Sequence, residues 1–532
     1  MKRREFVKTS VAAGVVASTV GNIFDPFAVK AYANGPSLAR AAMNAGTGRV
    51  LVVVQLDGGN DGLNTVVPRE DSNYYNLRDT LAIQNPLILN ETLGWHPAMT
   101  GFERMYNDGM MAVVQNVGYD NPNRSHFRST DIWFTGSNNS KPSDENTHLT
   151  DGWLGRYLDH RYPGYPDPSV TPEHPLAIEI GTTTSLMMQG ENMGMSMAIY
   201  DPDTFYRIIS GTDISGGDPP DTSTPAGLEL EYIRNIALEA NQYAKPVRDA
   251  ANQVQNNDVY PSTYNDVAEK LKIVARLIAG GLETPIFVVS QKAYDTHAQQ
   301  DSGTTPRHTQ LLGRMSDAVK SFFDDLKAFG ADDRVMLMTM SEFGRRVEAN
   351  GTAGTDHGTA APMFFVGPEV KAGVYGNNPD LSDLDRNGDL KFQYDFKQMY
   401  ASVLEQWFGV QRADSSLILK GEWDTLQLFT QAPVSVSGNG LPNGFALEQN
   451  YPNPFSLTAQ SGTNIRFSVP GGETRLNVYN LRGRLVKTLV DGPLQPGTHQ
   501  VRFTPGSLPS GTYLYRLESA RAVETRSMVL LK

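Results

Sequence analysis

Hydrophobic and polar residues follow three different patterns along the chain. Near the amino terminus, two arginines precede one short apolar run. From residue 49 to about residue 430, apolar runs of strand length are interleaved with segments of helical periodicity. Beyond residue 445, hydrophobic residues occupy every second position in short stretches that turn residues separate. These patterns predict a leader segment, a large α/β body and a smaller β domain.

The body contains apolar runs that are typical of parallel strands buried on both faces of a sheet. They are found at 49–56, 111–117, 176–180, 285–290, 335–340 and 363–366. The clearest helix is predicted over Arg307–Phe329, where one face is apolar and Gly330 supplies a C-cap. Strands and helices in alternation predict an α/β domain over 49–430 with a doubly wound, mostly parallel sheet.

The C-terminal part of the chain has a different composition. Residues 431–444 are rich in Ser, Gly, Pro and Asn, which predicts a linker. Alternating stretches follow at 464–469, 475–479, 485–490, 499–503 and 512–517. Because turn residues divide this period-two pattern, we expect residues 445–532 to form a small antiparallel β-sandwich.

The parts of the leader segment follow one another in the order that is typical of an export signal. Arg3-Arg4 precedes the apolar run 9–20, and Ala-Tyr-Ala at 31–33 supplies an A-x-A cleavage site. A bilayer span needs about 20 apolar residues, so we do not expect a transmembrane protein. The arrangement resembles a twin-arginine signal and implies the twin-arginine translocase as a partner, with a signal peptide over 1–33 and a linker over 34–48. The alternative interpretation is a basic N-terminus on a short buried helix.

Composition excludes several classes of function. The formal net charge is −12, which disfavours nucleic acid or an anionic membrane as the main partner. The chain contains no cysteine, so disulfides, thiolate metal sites and cysteine nucleophiles are excluded. An acidic chain can nevertheless hold a cation at a local site.

Acidic and imidazole side chains follow successive predicted strands at their carboxyl ends, where ligands bind in sheets of this type. The segments are Asp57-Gly-Gly-Asn60-Asp61, Arg124-Ser125-His126, Asp295-Thr-His297, Glu342-Phe-Gly-Arg345 and, ahead of the last strand, Asp356-His357. One cleft can collect these side chains, and both zinc and hard divalent cations accept them, so we expect a divalent metal site. The pattern leaves Zn, Ca, Mg and Mn open as the cofactor.

Each segment also has a structural interpretation on its own. Asp57 and the glycines after it are typical of a turn. Ser125 is a candidate N-cap of the following helix, and Asp295 is a candidate cap of nearby backbone. Glu342 and Arg345 have the spacing of an ion pair on one helix face. The metal site is favoured because all five segments fall at one end of the predicted sheet.

These segments, with the residues around them, resemble the family known as domain of unknown function 1501, and the resemblance covers nearly the whole body. That family is similar to the alkaline-phosphatase-like or sulfatase-like superfamily, which implies an alkaline-phosphatase-like fold. The resemblance implies Ser125 as the nucleophile. It implies a metal site formed by Asp57, Asp295, His297, Glu342 and His357. The expected second layer around this site comprises Asn60, Asp61, Arg124, His126 and Asp356.

The sequence departs from the superfamily pattern at two points. Asp295 and His297 are closer in sequence than this pair usually is, and Phe343 stands where a second histidine is expected. One of two metal positions is therefore expected to be weakened or lost. At the nucleophile position, His126 and Asn123 remain alternatives to Ser125.

The activity that the resemblance implies is hydrolysis of phosphate esters or, second, of sulfate esters. A metal near Asp57 would activate the Ser125 hydroxyl or a water, and Arg345 or Arg124 would stabilise the developing negative charge. A sulfatase with a cysteine-derived formylglycine is excluded because the chain has no cysteine, so hydrolysis of sulfate esters would depend on serine. The expected substrate is an anionic ester or a glycan. The alternative is a non-catalytic cell-surface protein that retains the hydrolase fold for binding or assembly.

The end of the chain carries a second resemblance. The segments 447–455, 478–484, 510–513 and 528–532 are similar to the type A sorting domain of type IX secretion. This similarity implies the type IX secretion machinery as a partner. We therefore expect export through the periplasm, either to the outer-membrane surface or into the medium.

Overall fold

The computed structural model describes most of the body and much of the C-terminal part. In the body it describes residues 48–137, 150–163, 165, 172–191, 193–210, 224–257, 260–261, 265–301 and 306–430. Beyond these it describes residues 446–447, 450, 453, 455–456, 462–480, 484–506, 508–519 and 522–531. The predicted signal peptide and both predicted linkers, apart from Gly48, lie outside the described residues. The chain divides into two compact units, Met1–Val434 and Ser435–Lys532.

A nine-stranded sheet forms the centre of the first unit. The strands of this unit are β1 (Val50–Leu56), β2 (Val66–Val67), β3 (Leu87–Ile88), β4 (Gly94–Trp95), β5 (Met111–Gly118), β6 (Ala177–Ile180), β7 (Met197–Ile199), β8 (Ile286–Gln291), β9 (Val335–Met340), β10 (Ala361–Val366), β11 (Gly373–Tyr375) and β12 (Tyr394–Asp395). The sheet has the order β11-β5-β10-β9-β1-β8-β6-β7, with β12 beside β5, while β2, β4 and β3 form a small separate sheet. Strands β6, β8, β1 and β9 are parallel to one another, which confirms the predicted α/β class.

Helices connect most of these strands. They are α1 (Gly62–Thr65), α2 (Ser72–Leu77), α3 (Thr100–Asn107), α4 (His126–Thr135), α5 (Trp153–Arg161), α6 (Pro202–Ser210), α7 (Pro225–Gln253), α8 (Asp266–Ala279), α9 (Arg307–Phe329), α10 (Phe396–Ser402) and α11 (Arg412–Ile418). Helix α9 has the predicted bounds, and it ends where Gly330 adopts a φ of 66°, a conformation that favours glycine. None of the described helices is long and apolar enough to cross a membrane.

Strand β1 is buried on both of its faces, as its continuous apolar run predicts. Val50 and Val52 belong to one hydrophobic cluster, to which helices α8 and α9 also contribute. Leu51 and Val53 belong to another cluster, to which helices α5 and α10 contribute. Helices therefore cover both faces of the sheet, which confirms the doubly wound arrangement.

Strand β10 runs antiparallel to both of its neighbours, β5 and β9. Its amino end therefore lies at the same edge of the sheet as the carboxyl ends of β1, β8 and β9. Because β5 is antiparallel to β10, the carboxyl end of β5 reaches this edge as well. The loops after β1, β5, β8 and β9 and the loop before β10 converge here, and they carry the candidate site residues.

Two small sheets form the second unit. Its strands are β13 (Ala446–Leu447), β14 (Phe455–Ser456), β15 (Thr463–Val469), β16 (Gly472–Asn480), β17 (Leu485–Leu494), β18 (Gly497–Phe503), β19 (Gly511–Ser519) and β20 (Ala522–Leu531). The sheets have the orders β13-β15-β18 and β14-β20-β19-β16-β17. All pairs except β14–β20 are antiparallel. Phe467 of one sheet and Tyr515 of the other lie in one buried cluster, which confirms the predicted sandwich.

Candidate metal centre

Two consecutive glycines hold the loop after β1 close to the loops after β8 and β9. Gly58 and Gly59 have φ angles of 123° and 77°. A Cβ atom at Gly58 would lie 2.4 Å from the backbone nitrogen of Asp295, and one at Gly59 would lie 2.4 Å from the ring of Phe343. Because glycine alone tolerates both the close approach and the backbone conformation, the turn after Asp57 brings three strand ends together.

Four side chains from the loop after β8, the loop before β10 and the start of α4 form what we call the His–Asp cluster: His126, Asp295, His297 and His357. Donor atoms of His126, Asp295 and His357 all lie within 4.8 Å of one another. The Oδ1 atom of Asp295 lies 3.2, 3.3 and 3.5 Å from the Nε2 atoms of His297, His357 and His126, respectively. The Nε2 atoms of His297 and His357 are 2.8 Å apart.

Hydrogen bonds indicate which nitrogen of each imidazole carries the proton. In all three rings, Nδ1 faces an oxygen that only accepts. The acceptors are the backbone oxygen of Arg124 for His357, Oε1 of Glu342 for His126 and Oδ1 of Asp356 for His297, at 2.8, 2.8 and 3.0 Å. Each Nδ1 is therefore the donor, and the Nε2 atom of each neutral ring turns its lone pair toward the cluster.

The His–Asp cluster has a donor set that suits zinc, and the distances from Asp295 to its three imidazoles match the spacing of zinc ligands. Ligand atoms bonded to tetrahedral zinc at about 2.0–2.1 Å lie about 3.3 Å from one another. The nitrogen–oxygen separations of 3.2, 3.3 and 3.5 Å are close to that value. Imidazole nitrogen suits zinc better than calcium or magnesium, which prefer oxygen. An oxygen acceptor at the other nitrogen of each ring is the usual support of a metal-bound histidine.

The charge of the cluster depends on its surroundings. Burial alone would raise the pKa of Asp295, but the hydrogen bond and positive charge of Arg345 lower it to about 2. The hydrogen bond to Glu342 raises the pKa of His126, whereas burial lowers the pKa of His357. Asp295 is therefore an anion at neutral pH, and a proton competes with a cation more strongly at His126 than at His357.

Glu342 lies behind the His–Asp cluster. Its side chain is buried, and Oε1 accepts hydrogen bonds from Nδ1 of His126 at 2.8 Å and from the N–H of Gly58 at 2.9 Å. Its Oε2 atom is buried and has no hydrogen-bond partner among the described residues. One oxygen of Glu342 thus orients His126 and the glycine turn, while the other accepts no hydrogen bond.

Asp57 is half-buried beside Glu342 and His126. Burial raises the pKa of Asp57, and the negative charge of Glu342 raises it further. The backbone N–H of Asp57 bonds the carbonyl of Gln291 at 2.9 Å, and its carbonyl accepts from the N–H of Tyr294 at 3.1 Å. These bonds fix the position of Asp57 relative to β8 and to the loop that carries Asp295.

Arg345 joins the loops that form the site. Its guanidinium is buried and donates to backbone carbonyls at Gly58, Gly59, Tyr294 and Thr355 and to Oδ1 of Asp295. The distance to Asp295 is 2.8 Å. Because Nε, Nη1 and Nη2 all donate hydrogen bonds within the chain, the geometry favours a role for Arg345 in joining the loops rather than in contacting a substrate.

Ser125 lies at the N-cap position of α4 and is exposed to solvent. Its side chain makes no capping hydrogen bond, and its backbone N–H bonds Oδ1 of Asn123 at 2.8 Å. Within the described part of the chain, no side chain hydrogen-bonds the hydroxyl that the sequence motifs indicate as the nucleophile.

The five expected second-layer residues take three different places. Asp356 and Arg124 support imidazoles of the cluster through their oxygens. His126 lies in the His–Asp cluster itself, which its position beside Ser125 in the sequence does not reveal. Asn60 and Asp61 lie behind the β1 loop in a buried polar network.

That network contains residues that sequence reasoning missed. Nε2 of His308 lies 3.0 Å from Oδ1 of Asn60, and Asp61 pairs with the buried guanidinium of Arg78. Gln300 donates to Asp61 at 2.6 Å. His308 and Arg78 stand in segments without a recognisable motif, so no sequence signal marks them. Through Asn60 and Asp61, the network holds the β1 loop in place.

Family models match both parts of the chain. The model described as "Protein of unknown function (DUF1501)" matches residues 49–420, and that of the "Secretion system C-terminal sorting domain" matches residues 449–531. The sorting domain implies the type IX secretion system, and it indicates export to the cell surface or secretion. None of the curated proteins compared with the chain matches it.

Solved structures with a similar fold are distant. A protein in the alkaline phosphatase superfamily from Vibrio parahaemolyticus is 11% identical, with 92% of this chain and 92% of that chain covered and a TM-score of 0.33. The PsFucS1 sulfatase from Pseudoalteromonas sp. is 11% identical, with 90% and 88% covered and a TM-score of 0.34. PorZ, a surface component of the type-IX secretion system of Porphyromonas gingivalis, is 15% identical, and the match spans only 20% of this chain and 14% of PorZ, with a TM-score of 0.14. The match over residues 49–420 shows that the chain belongs to the DUF1501 family.

Proposed function

We propose that the chain is an exported, metal-dependent hydrolase of phosphate or sulfate esters at the cell surface. The observation that supports this proposal most strongly is the convergence of three Nε2 lone pairs and the Asp295 carboxylate in the His–Asp cluster. Such a group of lone pairs is unfavourable unless a proton or a cation lies among them, and the donor set favours zinc.

The residues of the chain have separate roles in this proposal. His126, His297, His357 and Asp295 hold the cation. When bound, a divalent cation stabilises negative charge that develops on ester oxygens. Glu342 keeps the proton of His126 on Nδ1, so that Nε2 faces the cluster.

The nucleophile and the proton acceptor come from the loops beside the cluster. Ser125 is the candidate nucleophile, with an exposed hydroxyl one residue before His126. Asp57 is the candidate proton acceptor, because its half-buried carboxyl has a raised pKa. We assign Arg345 as a positioning residue, because its donors already bond four carbonyls and Asp295.

One observation favours a second candidate, a non-catalytic binding or assembly protein. Four protein ligands complete the coordination of a tetrahedral zinc ion, as in structural sites, whereas catalytic sites keep one position open. In that case the cation would stabilise the loops and perform no chemistry.

Metal content and hydrolysis, measured together, separate the two candidates. The full-length protein is supplied with Zn²⁺ and tested for bound metal and for hydrolysis of 4-nitrophenyl phosphate and 4-nitrophenyl sulfate. We expect His357→Ala to lose both metal and activity, whereas the control His160→Ala, an exposed histidine on α5, keeps both. Bound metal without hydrolysis supports the second candidate, and absence of both bound metal and hydrolysis contradicts the hydrolase.

We also propose that the leader directs the first step of export through the twin-arginine translocase. Arg3-Arg4, the apolar run and the Ala-Tyr-Ala site occur in the required order. The double change of both arginines to lysine should leave the precursor in the cytoplasm, whereas Lys8→Arg should not. Undiminished surface display of the double variant would contradict this step.

A further inference from the structure

Two arginines beside the His–Asp cluster share a single buried carboxylate. Asp389 is fully buried and pairs with the guanidinium of Arg124. Nε of Arg346 lies 3.5 Å from Oδ1 of the same carboxylate. Both arginine side chains are partly exposed, at 33% for Arg124 and 41% for Arg346. Two guanidiniums therefore surround one carboxylate, and the carboxylates of Asp385 and Asp356 also interact electrostatically with Arg124 and Arg346, respectively.

The pairing within this group is incomplete. The Nε atom of Arg124 is buried and lacks a hydrogen-bond partner in the described chain, and the same holds for Oδ1 of Asp389. Arg346 also donates to the backbone oxygen of Asn387 at 2.8 Å. A buried donor without a partner is costly, and an anionic group bound beside Nε of Arg124 would satisfy that donor.

Both arginines are fixed to the segment that carries His357. The backbone oxygen of Arg124 accepts from Nδ1 of His357 at 2.8 Å. The backbone N–H of Arg346 bonds the carbonyl of Asp356 at 2.9 Å. The backbones of the two arginines are thus fixed beside the residues that form the His–Asp cluster, and Asp389 holds their guanidiniums together.

We propose that Arg124 and Arg346 recognise a second anionic group on the substrate, in addition to the ester that reacts at the His–Asp cluster. This inference rests on the proposed function and narrows its substrate class to esters on a scaffold with a further carboxylate or sulfate. Guanidinium donors match the oxygens of such groups in planar, charge-assisted hydrogen bonds. Asp389 is a positioning residue that lowers the repulsion between the two arginines.

The test compares two probes that differ by one charge and that are not hydrolysed. Binding of phenylphosphonate and of 4-carboxyphenylphosphonate to the full-length protein supplied with Zn²⁺ is measured by calorimetry. We expect the carboxylated probe to bind about tenfold more tightly, as a charge-assisted hydrogen bond allows. This preference should disappear in Arg346→Gln and be largely retained in Arg346→Lys, which keeps the charge.

The control is Arg104→Gln, which removes the same charge from an exposed position on α3 and should keep the preference. An unchanged preference in Arg346→Gln, or equal binding of the two probes by the unaltered protein, overturns the inference, as does failure of both probes to bind. If the carboxylated probe binds more tightly but no ester is hydrolysed, the hydrolase proposal is contradicted and the anion site is supported. If esters are hydrolysed but the two probes bind equally, only the anion site is contradicted.

Discussion

Replacement of Arg345 by methionine should destabilise the first unit strongly. The guanidinium donates five hydrogen bonds, of which four reach carbonyls of buried residues in three different loops. A buried polar group that loses its partner costs about 1–3 kcal/mol. Relaxation of the loops and entry of water reduce the sum of these costs, so we expect a loss of about 3–5 kcal/mol in the free energy of unfolding.

The ion pair with Asp295 adds little to this figure, because the Asp295 side chain is 46% exposed and the pair is screened by water. Lysine at position 345 should be less damaging than methionine. One ammonium offers three donors, so at least two acceptors lose their partner, at about 2 kcal/mol in total.

Thermal unfolding of the full-length protein, followed by circular dichroism, measures these losses. We expect the midpoint of the first transition to fall by at least about 5 °C for Arg345→Met and by less for Arg345→Lys. Arg104→Met, at an exposed position, is the matched control and should leave the midpoint nearly unchanged. A methionine variant that unfolds at the temperature of the unaltered protein would show that Arg345 does not join the loops.

Two further changes test how the site is held. Glu342→Gln weakens the hydrogen bond, and removes the negative charge, that raise the pKa of His126. Since a cation must displace the proton from His126, Zn²⁺ affinity should fall by about tenfold per pH unit below that pKa, and in the variant this fall should begin at a lower pH. Calorimetry across mildly acidic to mildly alkaline pH checks this, and an identical pH profile would contradict it. Gly59→Ala places a Cβ atom 2.4 Å from the ring of Phe343, whereas Gly109→Ala, at the same φ of 77°, meets nothing within 4 Å. In both variants the strained backbone conformation should lower the free energy of unfolding by about 1–2 kcal/mol. Only Gly59→Ala should also weaken Zn²⁺ binding. Equal effects of the two alanines on metal affinity would count against the role of the turn.

The elements predicted correctly from the sequence are those with a large buried face. Strand β9 and helix α9 have the predicted bounds because the first is a mostly apolar run of strand length and the second is a long apolar stripe at helical spacing. Strands β2, β3, β4 and β12 have two residues each, which is too short for a periodic pattern. The direction of β10 could not be predicted either, because hydrophobic periodicity is the same for parallel and antiparallel strands.

The candidate site could likewise be predicted only in part. The rule that ligands gather at the carboxyl ends of strands identified the loops that carry Asp57, Asp295 and Glu342. It does not reveal which oxygen or nitrogen faces the centre, because that depends on side-chain rotamers and hydrogen bonds. The structure therefore adds that Glu342 contacts His126 through Nδ1, and that the Nε2 atom of His126 faces Asp295.

X-ray absorption spectroscopy of the full-length protein loaded with Zn²⁺ tests the central claim most directly. The His–Asp cluster predicts one tightly bound ion per chain, with nitrogen and oxygen neighbours at about 2.0–2.1 Å and the outer scattering of imidazole rings. That imidazole scattering should weaken in His126→Ala and remain complete in His160→Ala. A zinc environment made of oxygen alone, or one that His126→Ala leaves unchanged, would show that the ion does not bind at the cluster.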